Sequence, residues 1–139
     1  MALREKLKAL TAPSREVDAE IAVMFRDCPK TRNNPDHWLM RNFPPDAWRP
    51  LPGTALVAVG EGKSAVNFTS DKYTASLDAT VELVERELPK VIEPEWSLET
   101  APGGYWACFG HERCTQSGAL HTLPAVALLL ALLEAKEIE

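Results

Sequence analysis

Glu95-Trp-Ser-Leu-Glu-Thr-Ala-Pro-Gly-Gly-Tyr-Trp-Ala-Cys-Phe109 decides the fold. Two strand-like runs, 95–100 and 105–109, flank Ala101-Pro-Gly-Gly104, and turn residues between apolar runs predict an antiparallel hairpin. Along the second run Tyr105, Ala107 and Phe109 take one face while Trp106 and Cys108 take the other. Bulk on both faces calls for cover on both sides. The stretch therefore predicts layers of helix, sheet and helix.

The flanking segments supply the helices. In Tyr73–Leu88 the residues Leu77, Val81, Val84 and Leu88 recur at helical spacing, with Asp78, Glu82, Glu85, Arg86 and Glu87 on the other sides. Thr74 or Ser76 can cap its start and Pro89 ends it. Downstream, Thr122 starts a helix that tolerates Pro124 in its first turn, and Ala125–Leu133 is apolar almost all round. This predicts the most buried helix, with Leu128, Leu129 and Leu132 in the core. At the front, Leu3, Leu7 and Leu10 share one helical face, and Thr11-Ala-Pro13 breaks that helix. Ser14 caps a second helix to about Phe25, with Val17, Ile21, Met24 and Phe25 facing inward.

Between these parts, Thr54-Ala-Leu-Val-Ala-Val59 and residues 64–68 read as a second hairpin that can extend the sheet. Residues 27–53 differ in character. Six of the eleven prolines fall there, so long regular elements are not expected, yet Trp38, Leu39, Met40, Phe43 and Trp48 are too apolar for a disordered linker. An ordered loop is expected, with one helical turn at Asp36–Arg41. The chain is expected to be one α+β domain: a helical arm (1–26), this loop (27–53) and an α-β-α sandwich body with an antiparallel sheet (54–139).

Four segments in order carry a family resemblance. Ala12-Pro-Ser-Arg-Glu-Val-Asp-Ala-Glu-Ile-Ala22, Tyr73-Thr-Ala-Ser-Leu-Asp-Ala79, Trp96 with Tyr105-Trp-Ala107, and Leu123-Pro-Ala-Val-Ala-Leu128 resemble the phage ABA sandwich domain family. The resemblance spans roughly residues 3–25 and 73–136. It implies an α-β-α sandwich of phage or prophage origin in the cytoplasm of a bacterial host. It implies no catalytic residue set, and residues 26–72 lie outside it.

Candidate sites are few. Gly60-Glu-Gly-Lys63-Ser64 is not a phosphate loop, because that motif needs glycine where Val57 stands and a helix where Ala65-Val-Asn-Phe-Thr69 favours a strand. Cys108, His111, Cys114 and His121 form C-x2-H-x2-C-x6-H, which could offer zinc two thiolates and two imidazoles. The paired C-x2-C knuckle is missing, and Cys108 sits in a strand that points it at the core, so no metal or other cofactor is expected. Tyr73 and Thr74 stand at a helix N-terminus, where an anion can be held. A cap and a core tyrosine explain them equally well.

Charge narrows the partners. Residues 1–50 hold nine Lys/Arg and seven Asp/Glu, whereas residues 51–139 hold six and thirteen. The acidic second half offers no basic face, so nucleic acid is not an expected partner. The longest apolar run is too short to span a bilayer, so no membrane partner is expected either. Three cysteines without a secretory signal favour a reducing compartment.

No nucleophile motif surrounds His37, His111 or His121, so a non-enzymatic protein is expected, one that binds a protein partner or its own copy. Trp38, Met40, Arg41, Phe43, Trp48 and Arg49 are of the types favoured at interface centres and are the expected surface. Two other readings are a module that sequesters a small host nucleotide signal and a small enzyme. Elemental analysis of the purified protein is expected to find no stoichiometric zinc. One equivalent per chain, lost on mutating Cys114 or His111, would overturn the reading of the four-residue cluster.

Overall fold

A computed structural model of the protein describes residues 2–28, 43–61, 65–87, 96–109 and 117–136. Helices α1 (Leu3–Ala9) and α2 (Arg15–Phe25) come first. A 3₁₀ turn (Pro45–Ala47), strands β1 (Trp48–Pro50), β2 (Leu56–Val59) and β3 (Val66–Thr69), and helix α3 (Leu77–Glu87) follow. Strands β4 (Trp96–Ala101), β5 (Gly104–Phe109) and β6 (Ser117–His121) and helix α4 (Pro124–Ala135) complete the described elements. The fold is α+β, with two three-stranded antiparallel sheets in the orders β1-β2-β3 and β4-β5-β6. Contacts divide the chain into two compact units, residues 14–72 and residues 1–13 with 73–139. The two N-terminal helices thus belong to different units, and the two hairpins form separate sheets where the sequence suggested one extended sheet.

In residues 14–72, helix α2 packs on β1 and β2. Ser14 Oγ accepts a hydrogen bond from the Val17 N–H at 3.2 Å, the expected cap. Arg26, left-handed at φ 48°, ends the helix, and its N–H reaches back to Ala22 and Val23. Val17, Ile21 and Phe25 are buried as expected, but Met24 is 42% exposed and Asp18 is fully buried. The buried carboxylate is paired there, with Arg15 Nη1 2.7 Å from its Oδ2. The same guanidinium donates to Ser70 O at 2.7 Å and Asp71 O at 3.2 Å, which fastens the first turn of α2 to the end of β3.

Strand β1 lies where the sequence suggested only loop. It pairs Trp48 with Val59, Arg49 with Ala58 and Pro50 with Val57. Pro50 is tolerated because β1 is an edge, and an edge strand need not donate on its free side. The second hairpin forms as expected, Leu56 opposite Thr69 and Val59 opposite Val66. The helical turn expected at Asp36–Arg41 lies outside the described residues.

In residues 1–13 and 73–139, α4 packs on β5 and β6, and α1 and α3 pack on α4. The predicted hairpin is present, with Trp96 opposite Phe109 and Ala101 opposite Gly104 around Pro102-Gly103. Strand β6, absent from the sequence reading, pairs with β5 from Tyr105–His121 to Phe109–Ser117.

Helix α3 buries the face of Ala79, Thr80, Leu83 and Val84; of the expected stripe Val84 is buried, Leu77 and Val81 are half-buried, and Leu88 lies outside the described residues. A polar residue can sit on that face because the Thr80 hydroxyl donates to Tyr73 O at 2.8 Å. Ser76, one of the two expected caps, accepts from the Ala79 N–H at 3.2 Å. Helix α4 begins at Pro124, with Leu123 at the N-cap position where Thr122 was expected, and buries every residue from Ala125 to Leu133. At its far end Lys136 Nζ lies 3.3 Å from Glu87 Oε1, an ion pair on the surface and of small worth.

Gly104 marks the tightest point of the second sheet. Its φ of 144° suits glycine, and a Cβ there would lie 2.7 Å from the His121 carbonyl carbon and 2.9 Å from Thr122 Cα. Gly104→Ala is therefore expected to cost more than about 1 kcal/mol in denaturant unfolding; a neutral result would mean that β5 and the β6–α4 junction can part freely. Leu129→Ala, at a side chain 1% exposed, is expected to cost about 2–5 kcal/mol. A loss below about 0.5 kcal/mol would show α4 is not core.

Candidate functional site

Of the described part of the 27–53 segment, Asp27, Cys28 and Trp48 are buried, whereas Pro44, Pro45, Asp46, Arg49, Pro52 and Gly53 are exposed. Trp48 is 3% exposed and meets Phe68 edge-to-face, ring centroids 5.7 Å apart. Phe43, Arg49 and Ala47 all converge on Gly60. The Gly60 N–H donates to Ala47 O at 3.0 Å, and Arg49 Nη1 donates to Gly60 O at 2.7 Å. The Phe43 ring lies where a Gly60 side chain would go, 3.2 Å from the position of its Cβ. Gly60, at φ 99°, thus anchors the 3₁₀ turn and β1 to the end of β2. Among the expected interface residues, Trp48 moves from surface to core and the Arg49 guanidinium is engaged with backbone. Trp38, Met40 and Arg41 lie outside the described residues, as do Gly62, Lys63 and Ser64.

Tyr73 and Thr74 are both buried. The first turn of α3 takes its cap from Ser76, so these two side chains sit within packing at the helix entrance.

Two members of the four-residue cluster, Cys108 and His121, are divided by the sheet. His121 stands opposite Tyr105, three residues from Cys108 along β5, so the His121 and Cys108 side chains leave on opposite faces. Cys108 is buried and disulfide-bonded. An oxidised sulfur is not a thiolate ligand. The Ser97 hydroxyl sits 3.1 Å from it. This corrects the expectation that the cysteines stay reduced, which was the ground for placing the chain in a reducing compartment. His121 is the last residue of β6, and its Nδ1 accepts the Leu123 N–H at 2.9 Å. The ring thus satisfies an amide at the entrance to α4, just before Pro124, which has no N–H to offer. His111 and Cys114 lie outside the described residues. Among the described residues no group of three or more His, Cys, Asp or Glu is placed to hold a metal ion.

One surface was not anticipated. The register sets Glu99, Trp106 and Leu120 side by side across β4, β5 and β6, on the face that also carries Cys108. That face is closed at Cys108 and open toward the β4–β5 turn, where Trp106 is 37% exposed and Leu120 47%. Leu120 reaches back over the turn, its Cδ2 3.8 Å from where a Gly103 Cβ would stand. Directly opposite residues on antiparallel strands have their Cβ atoms about 5 Å apart, so the two form one apolar patch. The opposite face buries Ala107 and His121. Full cover on both faces, expected from the strand's composition, is therefore met at Cys108 but not at Trp106. The alternation of Tyr105-Trp-Ala-Cys108 placed Trp106 correctly; its neighbour Leu120 was invisible while β6 was unrecognised.

Neither a protein-family model, nor a curated protein, nor a solved structure matches the chain. The likeness to the phage ABA sandwich family rests on the motifs quoted above.

With Nδ1 accepting a hydrogen bond, the neutral His121 imidazole is expected to carry its proton on Nε2. Nitrogen chemical shifts of the labelled ring check this; a proton on Nδ1 would mean that the bond to Leu123 is absent in solution.

Proposed function

We propose that this protein acts without catalysis, as a phage or prophage accessory protein that binds a protein partner or its own copy. The outer face of the β4-β5-β6 sheet at Trp106 and Leu120 is the contact surface. The observation that carries the reading is the exposure of two large apolar side chains directly opposite each other. Tryptophan is among the residues that dominate binding energy at interface centres, and paired apolar side chains gain more by being covered than scattered ones do. Glu99 lies beside the pair, and residues 51–139 hold thirteen Asp/Glu against six Lys/Arg. A complementary partner other than a second copy therefore presents an apolar centre with basic residues at its rim, and its association slows as salt rises. The phage or prophage setting is supported by the sequence motifs alone.

The test combines mass with crosslinking. Native mass spectrometry reports subunit number for the wild type and for Trp106→Glu, and a photo-crosslinking residue at position 120 reports neighbours inside cells. The expected result is either an oligomer that Trp106→Glu converts to monomer, or a discrete crosslinked protein lost in that variant. Unfolding stability is expected to change by less than about 1 kcal/mol, as for surface substitutions. A monomeric wild type with no crosslinked species overturns the reading.

A further inference from the structure

We draw no further inference here: the strongest candidate, the exposed Trp106–Leu120 patch beside the edge strand β6, belongs to the surface already proposed, and nothing in the structure shows which partner, or whether a second copy, covers it.

Discussion

Nine consecutive buried residues, Ala125 to Leu133, leave α4 with no side that can face water. A helix of that kind cannot lie on a surface. It must be enclosed, and α1, α3 and the strands β5 and β6 supply the enclosure. Five of the nine are leucines, and each buried leucine is worth about 1.5–3 kcal/mol of transfer free energy. The other elements of that unit follow from the same demand. The short α1 offers Leu3 and Leu7, too narrow a stripe to stand alone but enough to cover one flank. Helix α3 offers Leu83 and Val84 to its own interior. The demand also explains the tight entry to α4, where the Gly104 backbone presses against His121 and Thr122 and the imidazole takes up the Leu123 amide.

Residues 14–72 are held by smaller devices. Among their described residues three short strands, a 3₁₀ turn and one helix close a core, with Trp48 as a plug, edge-on to Phe68. Polar fasteners complete the closure: Arg15 joins α2 to Ser70 and Asp71, and Gly60 gathers Ala47, Arg49 and Phe43 at one end of β2. Arg15 meets the buried carboxylate of Asp18 and two backbone carbonyls at once, so removing it takes one donor from each of the three.

Much of the fold was legible because local signals agreed with one another. Pro102-Gly103 between apolar runs specified the main hairpin, and the Ser14 cap and the leucine run of α4 were plain in the chain. What escaped had physical causes. Strand β1 is three residues long and ends in proline, so its composition reads as loop; only the pairing with β2 makes it a strand. Strand β6, Ser-Gly-Ala-Leu-His, lacks the β-branched and aromatic residues that announce strands, and its pairing to β5 is set by its neighbour. Asp18 and Thr80 are polar residues on buried faces, affordable because Arg15 and the Tyr73 carbonyl meet them, and no periodicity encodes such partners. The candidate surface was half legible for the same reason: Trp106 stood out, but its partner Leu120 depended on the unseen strand.

If α4 is the element that the rest of its unit depends on, its amides should open only when that unit unfolds as a whole. Native-state hydrogen exchange measures this directly. The account predicts that the amides of Leu128 to Leu133 are the slowest in residues 1–13 and 73–139, exchanging at the free energy of global unfolding. Exchange of these amides ahead of those in β5, with the sheet still protected, would contradict it.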